Sequence, residues 1–135
     1  TALKILVDTS VWIDFFNGVS SVPRVYLREL LEAEEEVCIS NYILAETLQG
    51  FKDNGEFEAA RTHLLHLPIL KLTTPELYIS AAQLYRTCRK RGITIRKTAD
   101  CLIAQTAIEH GVPLLHNDKD FDQIASLSGL QIFPT

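Results

Sequence analysis

Five acids in this chain stand where a carboxylate could hold a hard metal ion: Asp8, Glu46, Asp100, Asp118 and Asp120. Asp8 directly follows the apolar run Ile5-Leu6-Val7, and Asp118 and Asp120 follow a second apolar run, residues 112–115, by a few positions. Asp100 lies in a helical stretch whose ~3.6-residue period puts it on one face with Ile103, Ala104 and Ala107, while Thr98, Gln105 and Glu109 fall opposite. An aspartate on the apolar side of a helix is costly unless it is paired or metal-bound. Glu46 sits on the shoulder of its helix, beside the apolar arc of Leu44, Leu48 and Phe51. Carboxylates brought together repel one another and need cations or protons. Mg²⁺ takes carboxylate, water and phosphate oxygens. No His pair or Cys cluster suits zinc, so Mg²⁺ or Mn²⁺ fits this donor set.

Each acid also has a plainer structural role open to it. Asp8-Thr9-Ser10 ahead of a helix is good N-capping chemistry. A first-turn acid such as Asp100 favours the helix dipole, although that does not explain its place on the buried side. A boundary glutamate such as Glu46 is commonly just solvated. Residues 117–120 can form an Asx turn, with Asp120 capping a helix that starts at Phe121. Asp118, nearer the strand end, is then the better metal ligand of the two.

The acids can act together only if the elements bring them together. Short apolar runs at residues 5–7, 37–39, 69–72, 112–115 and 130–133 predict buried strands. Amphipathic stretches alternate with them. The first covers residues 11–16 and stops near Gly18, and Pro23 opens the second. Ser40 or Asn41 can cap a third that runs to about Phe51, and a fourth covers residues 57–67. Thr74-Pro75 begins a long helix ending at Gly92, Thr98 or a neighbour caps one closed by Gly111, and residues 121–127 form the last. Strands alternating with helices imply an α/β fold, a mostly parallel sheet of four to five strands covered on both faces. Ligands in such sheets gather outside the carboxyl ends of the strands, where Asp8 and residues 118–120 fall. No linker or repeat divides the chain, so residues 1–135 read as one domain.

Composition narrows the class. At 47% hydrophobic and 22% charged residues, the chain is an ordinary globular one. It has no apolar stretch long enough for a membrane span and no signal-peptide pattern at its start, so the expected location is the cytoplasm, with no membrane partner. Cys38, Cys88 and Cys101 have no disulfide or zinc spacing and read as buried thiols. The net charge of −4 argues against a nucleic-acid binder, but six of the 13 Lys and Arg lie within residues 86–97, with no acid among them. Arg96 and Lys97 end that stretch. The rival use for it is a helix C-terminus, where Arg89, Lys90 and Arg91 before Gly92 suit the dipole.

The segments LVDTSVWIDFF, ISNYILAETLQG, TADCLIAQTAIEHG and LLHNDKDFDQIA resemble, in order, the four acidic blocks of PIN domains, and most closely those of VapC-type toxins. The resemblance covers essentially the whole chain. It places the family's acids on Asp8, Glu46, Asp100 and either Asp118 or Asp120, and its following polar residue on Thr9 or Ser10. It implies a three-layer α/β/α fold and a Mg²⁺- or Mn²⁺-dependent endoribonuclease. It also implies a homodimer and inhibition by a small antitoxin. On this reading the acids hold metal at the scissile phosphate, and Glu46 is a ligand or orients the attacking water. The amides of Thr9 and Ser10 face a phosphate oxygen, and Arg96 and Lys97 hold the RNA backbone. A haloacid-dehalogenase-type phosphatase would need an acid at position 10, which is Ser10, and a response-regulator receiver would need an acidic pair that is not there. The non-enzymatic alternative is a PIN-like module that binds RNA or protein without cutting.

Overall fold

The computed structural model describes residues 3–134. Its four strands are β1 (Lys4–Val7), β2 (Glu36–Ser40), β3 (Ile69–Leu70) and β4 (Leu114–Leu115). They form one parallel sheet in the order β3-β2-β1-β4. Ile5, Leu6 and Val7 are consecutive and all fully buried, so both faces of β1 are covered. That is why the strands read as unbroken apolar runs and not as alternating ones.

Seven helices cover the sheet: α1 (Thr9–Asn17), α2 (Val22–Glu32), α3 (Asn41–Leu48), α4 (Asn54–Leu65), α5 (Pro75–Lys90), α6 (Thr98–His110) and α7 (Lys119–Ser126). The result is the three-layer α/β/α arrangement, with Trp12, Leu27, Ile43, Ile103 and Phe121 among the side chains filling the core. From β1 the chain steps outward through β2 to β3. The long α5–α6 crossover then carries it back to β4, on the other side of β1. Strand order therefore reverses at β1, and the crevice between the carboxyl ends of β1 and β4 is where such sheets bind ligands.

Two expected strands are shorter, and one is reduced to a contact. β3 stops at Leu70 and not at residue 72, because its partner β2 ends at Ser40, opposite Leu70, where Ser40 turns to cap α3. β4 begins at Leu114, after Pro113, which has no N–H to give the ladder. The expected strand at residues 130–133 is a single bridge, Leu114 to Ile132, flanked by two backbone bonds. A two-residue edge strand offers too little backbone to extend that pairing. Cys38, Cys88 and Cys101 are buried and unpaired, as their spacing predicts. Among the described residues, no helix is long and apolar enough to cross a membrane.

Candidate metal centre

Asp8 leaves the end of β1 and becomes the N-cap of α1. Its Oδ2 accepts from the Ser10 backbone N at 3.0 Å and from Ser10 Oγ at 2.6 Å. Ser10 Oγ in turn accepts from the Asn117 backbone N at 2.9 Å. Asn117 Nδ2 donates to Asp14 Oδ2 at 2.9 Å, and the same oxygen accepts from Ser21 Oγ at 2.8 Å. Asp8, Ser10, Asp14 and Asn117 thus stitch the β1–α1 corner to the loop after β4. The amide of Ser10, expected with that of Thr9 to face a phosphate oxygen, donates to Asp8 here. Thr9 Oγ1 donates to Glu46 Oε1 at 2.9 Å, which draws α3's half-buried glutamate toward the Asp8 corner.

α6 runs back from the carboxyl edge toward the start of β4, so its first turn, and Asp100 with it, lies at the same edge as Asp8. Asp100 is buried at 4% exposure, and its Oδ2 has no hydrogen-bond partner. Burial, then the charges of Asp8 and Asp118, push its carboxyl up to about 7, against a smaller opposing pull from Lys97. Asp8 is also raised, chiefly by burial, with the Ser10 bonds opposing. One oxygen each of Asp100, Asp118 and Asp120 lie within 4.8 Å of one another. Asp8 stands outside that triplet, acting on Asp100 through its charge.

The fourth acidic block is arranged the other way round from the sequence expectation. α7 starts at Lys119, and its N-cap is Asp118, whose Oδ1 accepts from the Asp120 backbone N at 3.0 Å. Starting the helix there puts Asp120 one turn before Ile124 on the inward face, where it is 4% exposed. Asp118 is the partly exposed cap; Asp120 is the buried acid. The i, i+4 spacing of Asp120 and Ile124 was the available signal. The basic stretch also divides. Arg86, Arg89, Lys90, Arg91 and Lys97 are exposed, but Arg96 pairs with Asp118 at 3.0 Å and with Asp120 at 3.1 Å. Asp14 and His116 were missed as positioning residues. Asp14 shares Ser10's helix face at i+4, whereas nothing local marks His116.

The donor set is all oxygen. His116 is no spare ligand, because its Nε2 meets Asp122 Oδ1 at 3.0 Å and its Nδ1 accepts from the Asp118 backbone N. Buried carboxylates with one orphaned oxygen fit a hard divalent cation, which would satisfy that oxygen and offset the repulsion that raises Asp100.

Known proteins agree with this architecture. Residues 5–127 match the PIN domain family. The chain is 37% identical over 128 residues to Ribonuclease VapC11 of Mycobacterium tuberculosis, covering 94% of this chain and 96% of that protein. It is 33% identical over 131 residues to Ribonuclease VapC1 of Methanocaldococcus jannaschii, covering 96% and 87%. In structure it resembles the DNA-bound VapBC of Salmonella typhimurium, with a TM-score of 0.75 at 22% identity over 96% of each chain. The chain belongs to the PIN-domain family, in its VapC group.

Proposed function

We propose that this protein is a Mg²⁺- or Mn²⁺-dependent endoribonuclease that hydrolyses RNA phosphodiester bonds, and that it is the toxin of a toxin–antitoxin pair. The observation that carries the reading is the unpartnered, buried Oδ2 of Asp100 beside two further carboxylates. The relatives' designation as ribonucleases supports the substrate, and solved VapBC complexes of the same fold support an antitoxin partner. A cytoplasmic homodimer completes the expectation.

Asp100, Asp118 and Asp120 would hold the cation, with Asp8 adding charge from the β1 side; such an ion would supply a lowered pKa for an attacking water and charge stabilisation for the leaving oxygen. Glu46, held by the Thr9 hydroxyl, would be a ligand or orient the attacking water. Lys97 and its exposed neighbours on α5 hold the flanking phosphates. Because the acids need a cation, an antitoxin Arg or Lys entering the same crevice would silence the enzyme.

Asp8→Asn and Asp100→Asn should each lower Mn²⁺-dependent cleavage of mixed cellular RNA by more than about 100-fold, since even residues behind metal ligands commonly cost 10–100-fold. EDTA should do the same to the wild type. Both variants should melt at or above the wild-type temperature without metal. Full cleavage by either variant, or by the wild type in EDTA, refutes the reading.

A further inference from the structure

Arg96 does not behave like a residue waiting for substrate. It lies between α5 and α6, and its guanidinium reaches across to α7. Nη2 donates to both oxygens of Asp118, at 3.0 and 3.2 Å, and Nε donates to Oδ2 of Asp120 at 3.1 Å. Any cation held jointly by Asp100, Asp118 and Asp120 must take an Asp118 oxygen to which this arginine now donates. The two sides of the contact differ in freedom. The Asp120 side chain is 5% exposed and fixed on a helix; the Arg96 side chain is 62% exposed. Exposed arms in ion pairs are weakly held. A divalent ion carries twice the charge and can also meet the orphaned Oδ2 of Asp100, which Arg96 leaves unsatisfied.

Beside the pair lies an open depression of about 490 Å³, bordered by Thr94, Arg96, Lys119, Asp120 and Gln123. Lys119 is exposed there. A guanidinium released from Asp118 and Asp120 would stand next to that lysine, and the two would present a fork and a point charge suited to a phosphate.

We propose that Arg96 is an internal counter-ion that the metal displaces, and that the displaced side chain joins Lys119 to hold a phosphate of the RNA. This rests on the metal-dependent ribonuclease reading and adds regulation to it. Metal and RNA binding are coupled through one side chain, and linkage makes that coupling reciprocal. RNA is then held firmly only where metal is already in place.

The test is calorimetric titration of Mn²⁺ into wild type, Arg96→Ala and Arg96→Lys, with and without a cleavage-resistant phosphorothioate RNA. Without RNA, Arg96→Ala should bind Mn²⁺ several-fold more tightly than wild type. In the wild type, RNA should tighten Mn²⁺ binding by roughly 5–150-fold, the usual span of coupling. In Arg96→Ala that enhancement should vanish, and in Arg96→Lys it should be partly kept. Weaker Mn²⁺ binding by Arg96→Ala would make the arginine a buttress for the acids and overturn the proposal. Wild-type coupling in that variant would overturn it as well. Asp100→Asn separates the two levels. If it binds Mn²⁺ normally, the metal centre and everything built on it fall. If it loses Mn²⁺ while Arg96→Ala also weakens, only the displacement falls.

Discussion

Asp100 joins three properties in one side chain: it is buried, its Oδ2 is unsatisfied, and its carboxyl is pushed up to about 7 by burial and by its acidic neighbours. The native state without metal therefore favours the protonated acid more than the unfolded chain does. Stability from this group is fully present below about pH 4, the ordinary range, and is lost as pH rises through about 7. Without metal, the melting temperature should fall between pH 5 and pH 8. Mg²⁺ should restore it at pH 8, and Asp100→Asn should flatten the profile. A metal-free melting curve that does not change with pH would remove Asp100 from the centre of this account. Asp118 and Asp120 make a second contrast. Asp118→Ala removes a cap and should cost ~0.5–2 kcal/mol as well as metal affinity. Asp120→Asn should lose metal affinity with the α7 cap intact. Equal stability of the two variants would show that the cap contributes nothing.

At the scale of elements, four helix N-termini meet the carboxyl edge of the sheet. α1, α3 and α7 begin just beyond β1, β2 and β4, and α6 starts there because it runs back toward β4. Asp8 and Asp118 are N-caps, while Asp100 and Asp120 are first-turn acids, so the helix dipoles favour all four negative charges. Acid repulsion is thus partly offset before any metal arrives. The arrangement depends on the corner at Ser10, which joins Asp8 to the Asn117 backbone. Ser10→Ala should cost about 0.5–1.5 kcal/mol, the net worth of a hydrogen bond, and should weaken Mn²⁺ binding by loosening the loop that carries Asp118. Ser10→Thr, which keeps the hydroxyl, should recover most of both. Unchanged Mn²⁺ affinity in Ser10→Ala would show that the loop is held by other contacts.

Across the whole molecule, charge is unevenly spread. The net charge is −4, yet Lys97 acts on Asp100 in the acidic crevice through its charge, and exposed cations end α5. RNA binding should therefore be weak at high salt and steep in its salt dependence. Each phosphate contact removed lowers the slope of log affinity against log salt by about 0.7 for a single strand. Lys97→Ala should show that decrease together with weaker binding. An unchanged slope and affinity would leave Lys97 as solvated surface.

The sequence alone carried the class of the fold and most of the acids. The buried strands announce themselves as apolar runs because both sheet faces are covered, and Asp100 shows itself as an acid on an apolar helix face. Strand ends were less legible, because they depend on the partner: β3 stops where β2 turns away at Ser40. Which acid of the last block is buried depended on where α7 starts, and a shift from Phe121 to Lys119 exchanged the roles of Asp118 and Asp120. The pairing of Arg96 with those acids spans 22 and 24 residues and lies outside any local pattern. Only the packing of α6 against α7 decides that an arginine read as a contact for RNA lies on the acids themselves. Periodicity reports which side of an element is buried; it cannot report what a long, exposed side chain meets on the next one.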